Sequence, residues 1–204
     1  MSPSESSQRS VIEFMERHRW VAMASIAVLA LTALIEDWLG RSPLGPDGRF
    51  GWWDGDIWSS ENSQRVADAY SFSHIEHGIL FFALLWLVAR RLPLSVRFLI
   101  AMLLETGWEV LENSPIIINR YREATIALGY VGDSVLNSCC DVMMMALGFV
   151  FASRVPVWVS VGAALAMEAF CLLWVRDNLL LNVIMLLYPI GALKAWQSAG
   201  HALH

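Results

Sequence analysis

The sequence predicts an all-α, polytopic membrane helix bundle with about six transmembrane helices and a cytoplasmic amino terminus. Two properties of composition point there. Of the 204 residues, 56% are hydrophobic and only 16% are charged, where a soluble domain carries about a quarter charged residues. Mean hydropathy is +0.50. A third observation is the grouping of apolar residues into runs. Such runs cross lipid as helices, because an open strand would leave its backbone unpaired there. The length suits one domain, placed at residues 20–196. A net charge of −5 argues against nucleic acid as a partner; membrane lipids are the expected partners, and protein partners are left open. Cys139, Cys140 and Cys171 lie in apolar stretches and are read as reduced packing residues, with no disulfide or zinc spacing.

Residues 1–19 form a polar tail on the cytoplasmic side. The first apolar run, Trp20 to Ile35, extends through Trp38 and Leu39 to give a span over 20–39. Arg17 and Arg19 before it, with Ala30 and Ala33 inside it, also fit a cleaved signal peptide; an uncleaved span is the favoured reading. Residues 40–71 hold five glycines and two prolines and read as a long outer loop. Its Trp52, Trp53 and Trp58 suit either the headgroup layer or a cap on the bundle.

Further runs place spans at about 72–90, 95–113, 133–153, 157–175 and 178–194, with a cytoplasmic tail at 197–204. A bilayer core of about 30 Å needs roughly 20 helical residues. The second and third spans reach that length only by including His74, His77 and Glu112, so polar residues lie within spans. Pro189 and Gly191 are expected to kink the last one. Eight basic residues, among them Arg90, Arg91 and Arg97 in the tight turn after the second span, fall inside, and six fall outside. That asymmetry sets the orientation.

The polar residues of four segments then gather at one level near the outer face. His74 and His77 are i, i+3; Glu105, Glu109 and Glu112 are i, i+4, i+7; Asp133, Asn137 and Asp141 step by four. Each set forms a stripe down one helix face, reaching about 10–12 Å inward. Arg176, Asp177, Asn178 and Asn182 close the ring at the turn before the last span. The stripes predict a polar cup, open outward and floored by Leu and Met.

Seven acidic residues, Glu76 included, meet three arginines in this cup and leave −4; two protonated histidines leave −2. Such an excess is costly in a low-dielectric site. It is relieved by protonated carboxyls, by water, or by a divalent metal ion, and two histidines with carboxylates suit a Mg²⁺, Mn²⁺ or transition-metal site. The assignments follow. His74 and His77, with Glu105 and Glu109, are metal-ligand candidates. Glu105, Glu109, Glu112 and Asp141 are acid–base candidates. Arg120, Arg122 and Arg176 would hold an anionic head group, with Asn113 and Asn137 as further substrate contacts. Plainer roles stand beside these. Asp133 would cap a helix, Asn137 and Asn182 would bond between helices, and Met143–Met145 would pack the core.

The chain contains no P-loop, dinucleotide fingerprint, GxSxG or HExxH motif. Three functions are compatible with the pattern: a membrane-embedded hydrolase or transferase acting on a lipid or envelope intermediate; a non-enzymatic carrier or binding protein for a cation, proton or lipid; and a structural assembly partner. Polar groups are absent from the inner halves of the spans, which argues against a through-path.

The segments SFSHIEHG, LLETGWEVLENSPIIINRYREATIALGYVGDSVLNSCCD and RDNLLLNVIMLLYPIGALKAWQ resemble a family of alphaproteobacterial inner-membrane proteins catalogued as a domain of unknown function. The resemblance covers most of residues 70–197. It implies a multi-pass inner-membrane protein and supplies no activity. A looser likeness is to VanZ-type membrane proteins, which share a carboxylate late in one span, a downstream arginine and an Asp-x-x-x-Asn opening of the next. Glu109, Arg120, Asp133 and Asn137 match those positions. No catalytic role is carried over from either.

Overall fold

In the computed structural model, the structure describes residues 3–127 and 129–200, with side chains described from residue 19 onward. The expected polar tail at 1–19 therefore lies almost wholly outside the described side chains, as do residues 201–204 of the expected tail at 197–204. The described residues form eight helices and one two-stranded ladder. The helices are α1 (Pro3–Trp38), α2 (Ser71–Val88), α3 (Leu94–Glu112), α4 (Pro115–Ala124), α5 (Val135–Ala152), α6 (Val157–Val175), α7 (Leu179–Leu187) and α8 (Gly191–Ser198). Strands β1 (Trp53–Asp54) and β2 (Ala67–Asp68) pair in parallel within the loop after α1.

Four of these helices are long and apolar enough to cross a membrane: Arg19–Trp38 within α1, and α2, α5 and α6. The chain is a membrane protein on that ground. Helix α3 has 19 residues, about 28 Å at 1.5 Å per residue, but it carries Arg97, Glu105, Glu109 and Glu112. The last apolar run differs most from expectation. The run does not continue as one helix over 178–194. The nine residues of α7 reach only about 14 Å. The backbone turns extended at Tyr188 and Ile190 around Pro189, whose ring cannot continue the helix and disfavours it in the residue before. Gly191 then opens α8 instead of lying in a kink. Helix α4, in what reads as an outer connection, is the other departure. Ser114 caps it by accepting from the Ile117 amide, and Pro115 sits at its first position, as the geometry of a helix start favours.

The centre is the crossing of α2 and α5. Gly78 and Gly148 face each other's helix so closely that a Cβ on Gly78 would strike the Met145 carbonyl oxygen, and one on Gly148 the Ile75 carbonyl oxygen. Small residues of this kind let membrane helices approach closely. Around the crossing, Leu85, Ala101, Met102, Val142, Met145 and Phe149 form the buried core, with Phe82 and Phe98 edge-on to Phe149. Of the Met143–Met145 run, Met145 is fully buried while Met143 is exposed. Helix α1 packs on α3 and α5, and Thr32 meets Thr106 hydroxyl to hydroxyl at 3.0 Å.

The loop after α1 folds over one end of the bundle. Ser134 Oγ, which caps α5 by accepting from the Asn137 amide, itself donates to the Gln64 carbonyl. Trp53, half exposed, stacks on Trp174 of α6 at 5.7 Å, whereas Trp52 is more exposed and meets only Phe50 of its own loop among the described ring contacts. One ring of this loop therefore caps the bundle and its neighbour does not.

Candidate functional site

The three stripes meet because α3 and α5 both pack on α2. His74 Nδ1 lies 2.6 Å from Glu105 Oε1, and His77 Nδ1 lies 3.0 Å from the same oxygen. His74 also approaches Glu109 at 3.4 Å through Nδ1 and Asp141 at 3.7 Å through Nε2. Glu105 and Glu109 are both completely buried. Two donor groups result, His74–His77–Glu105 and His74–Glu109–Asp141, and in each the candidate ligand atoms lie within 4.8 Å of one another. His74 belongs to both.

The chemistry of this donor set fits a divalent ion. Neutral imidazole and carboxylate oxygen are ligands of zinc and of manganese. Neither carboxylate oxygen of Glu109 has a hydrogen-bond partner, although buried carboxylates are ordinarily bonded. That orphaned carboxylate beside His74 is where a bound cation would supply the missing partner.

A cavity of about 280 Å³ adjoins the cluster. His74, His77, Glu112, Asp133, Asn137 and Asp141 line its polar side, and Phe81, Trp108, Leu179 and Val183 its apolar side. Three tyrosines frame it: Tyr70 donates to Asp177 at 3.2 Å, Tyr121 to Asn182 at 3.1 Å, and Tyr130 to Asp133 at 2.9 Å. Outside the spanning helices, burial pushes the carboxyls of Asp133 and Asp177 up to about 6. Burial also raises the Tyr130 phenol, and the charge of Asp133 adds to the effect.

The structure brings His74, His77, Glu105, Glu109 and Asp141 into one cluster, and sets Glu112 and Asn137 on the adjoining cavity wall. Glu105 and Glu109 stand behind the histidines and do not line the cavity. Asn113 also faces away. Its Nδ2 donates to Asp133 Oδ2 at 3.2 Å and to Ser138 Oγ at 3.1 Å, and its Oδ1 accepts from the Asp133 amide at 2.6 Å. It clamps α3 to the start of α5 instead of meeting a ligand. Asp133 is not a helix cap; Ser134 takes that place.

The three arginines are not part of the cavity wall. Arg120 Nε donates to the Leu186 carbonyl and Arg122 Nε to the Tyr130 carbonyl. Arg176 sits over the Trp196 ring and donates to the Trp196 carbonyl. The guanidinium groups of Arg120 and Arg176 take carbonyls in the last turns of α7 and α8, and that of Arg122 a loop carbonyl, so the expected clamp on an anionic head group is not assembled.

Glu36, Trp108 and the tyrosines escaped the sequence reading. Glu36 is fully buried near Asn113, Arg41 and Asp133. Its signal was present, since Val28, Thr32 and Glu36 step by four and all are buried. The tyrosines lie in connections with no apolar period to place them.

Fold and site together define a class: a helical membrane protein with a buried histidine–carboxylate cluster beside a half-polar cavity. The chain belongs to the family described as "Protein of unknown function (DUF2585)", which matches residues 36–199. It is 50% identical to a UPF0314 protein of Paracoccus denitrificans over 86% of this chain and 91% of that one. It is 49% identical to a UPF0314 protein of Rhizobium etli over 91% of this chain and 95% of that one. A UPF0314 protein of Sphingopyxis alaskensis is 48% identical over 91% and 98%. No solved structure matches. The likeness to VanZ-type proteins gains nothing from these relatives and carries no further argument.

Proposed function

We propose that this chain is a multi-pass inner-membrane protein that binds a divalent metal ion through the His74 cluster and hydrolyses, or transfers a group from, a lipid or envelope intermediate. The observation that carries the reading is His74 shared between two donor groups, with the Glu109 carboxylate buried and unpartnered beside it. Ionisable side chains within membrane helices are costly, and where they cluster they mark function by default.

His74, Glu109 and Asp141 would hold the ion, with His77 and Glu105 as the adjoining set. An ion held there would supply an activated water and polarise a substrate oxygen. The chain's own residues do the rest. Glu105 accepts from both imidazoles and fixes their orientation, the task that outer carboxylates perform at metal sites. Glu112 faces the cavity and is placed to receive or return a proton. Phe81 and Trp108 keep one side of the cavity apolar and limit water. The cup opens to the outer face in the orientation set by the basic residues, and α1 is retained as part of the bundle.

Lipid profiling of a deletion strain tests the reading. The deletion is expected to accumulate an intermediate that the wild-type chain clears, and that neither His74→Ala nor Glu109→Gln clears when present at wild-type level. Full complementation by both variants would contradict it.

A further inference from the structure

We infer that the cavity takes a membrane lipid that enters sideways between α3 and α7 and whose head group is rich in hydrogen-bond donors without net negative charge. This rests on the cavity being the functional site and adds the class of molecule that occupies it.

The route follows from how α7 is held. Its main packing partner is α4, tied by Arg120 to the Leu186 carbonyl and by Tyr121 to Asn182. On its other side the cavity runs between Val183 of α7 and Trp108 of α3, without a helix–helix seam to close it. The rim there is apolar and outward-facing: Val183 is 42% exposed, and Leu180 and Leu187 beside it on α7, and Leu104 and Leu111 on α3, are exposed as well. A water-soluble ligand gains nothing from such a rim. An acyl chain laid across Phe81, Trp108 and Val183 removes apolar surface from a half-wet cavity, at roughly 25 cal/mol per Å².

The head group follows from what the polar wall has left to offer. No lysine or arginine lines the cavity, whereas Glu112, Asp133 and Asp141 do. The wall's tyrosine donors are already used. The Tyr70, Tyr121 and Tyr130 hydroxyls donate to Asp177, Asn182 and Asp133, and Asn137 Nδ2 donates to the Arg65 carbonyl. Asn62 Oδ1, also in the wall, is a buried acceptor without a partner. With three carboxyls and this open acceptor in the wall, and no lysine or arginine among its described residues, a head group that brings hydroxyl or ammonium protons is the best match. A phosphate or carboxylate head meets three carboxyls and no fixed positive charge among the described lining residues.

Three single-chain probes of equal length separate these chemistries: monoolein with two hydroxyls, oleylamine with an ammonium, and oleoyl lysophosphatidate with a phosphate. Binding to the purified full-length protein in a neutral detergent is measured by competition and native mass spectrometry, once in chelator and once with Mn²⁺. Monoolein or oleylamine is expected to bind on the order of tenfold more tightly than lysophosphatidate, in the same order under both conditions. Whichever leads names the proton source. Lysophosphatidate binding as tightly or more tightly overturns the head-group assignment. Val183→Trp, at an exposed rim position, is expected to weaken monoolein binding by about as much; unchanged binding overturns the sideways route. Glu112→Gln keeps the shape and is expected to narrow the discrimination against lysophosphatidate, and an unchanged ratio counts against the charge argument. A chain that binds no metal yet keeps this lipid order defeats the metal reading and leaves the present one standing.

Discussion

Glu105 Oε1 lies 2.6 Å from His74 Nδ1, inside a carboxylate that has no exposed surface. The same oxygen holds His77 at 3.0 Å. One acidic side chain on α3 thereby sets the orientation of both imidazoles on α2. Replacing it by an amide keeps the volume and removes the charge that both rings face. Glu105→Gln is expected to lower divalent-metal affinity by about ten- to a hundredfold, the usual cost of losing a partner that orients ligands. Titration calorimetry on folded, detergent-purified protein reads this out. Unchanged affinity, or loss of the folded protein alone, assigns Glu105 to helix packing.

The approach of α2 to α5 makes a second test. Gly148→Ala puts a methyl group into the Ile75 backbone, and overpacking of this kind costs about 1–3 kcal/mol. Gly107→Ala on α3 is the control, because a Cβ there meets nothing within 4 Å. An alanine in a helix is favoured over glycine by about 0.5–1 kcal/mol. Thermal unfolding in detergent is expected to rank Gly107→Ala at or above wild type and Gly148→Ala clearly below.

Much of this arrangement was legible in the chain. Spacings of three, four and seven placed His74, His77, Glu105, Glu109, Glu112 and Asp141 on single helix faces, and a helix period is the kind of signal that survives folding. The bundle followed from composition because lipid leaves the backbone few solutions. What failed had no period behind it. Arg120, Arg122 and Arg176 stand at the outer connections in sequence, and the fold draws each to a backbone carbonyl: those of Leu186 and Trp196 in the last turns of α7 and α8, and that of Tyr130 in a loop. Helix α4 and the break at Pro189 depend on local capping and ring sterics that hydropathy does not register. Glu36 is legible as the third member of the Val28, Thr32, Glu36 stripe, but it stands at the end of the apolar run, where hydropathy gives no sign of burial.

Two buried carboxyls outside the spans, Asp133 on the cavity wall and Asp177 behind Tyr70, give a pH dependence with a definite sign. Asp133 and Asp177 ordinarily titrate at 3.8 and are pushed up to about 6 in the folded chain. Between those values the folded protein binds more protons than the unfolded one, so stability is greatest at the acid end and falls as pH rises through about 6. Each group contributes a slope of at most about 1.4 kcal/mol per pH unit. Asp133→Asn is expected to flatten the fall between pH 4 and 6 relative to wild type. A variant whose stability–pH profile parallels wild type across that window would contradict the burial of this carboxyl.

The displaced arginines predict an absence of effect. Arg122 and Arg176 make exposed contacts to backbone carbonyls, of the kind that contributes about 1 kcal/mol or less. Arg122→Gln and Arg176→Gln are expected to keep metal stoichiometry and lipid affinity within about twofold of wild type. A tenfold loss of lipid binding in either would return that arginine to the site.

The most direct test is metal content. Elemental analysis of the detergent-purified chain, loaded with Mn²⁺, Mg²⁺ or Zn²⁺ and desalted, is expected to find about one divalent ion per chain, with none in His74→Ala and a markedly reduced amount in Glu109→Gln. A wild-type chain that retains no ion under any of these conditions, or a His74→Ala variant that retains the full amount, would contradict a metal site built around His74.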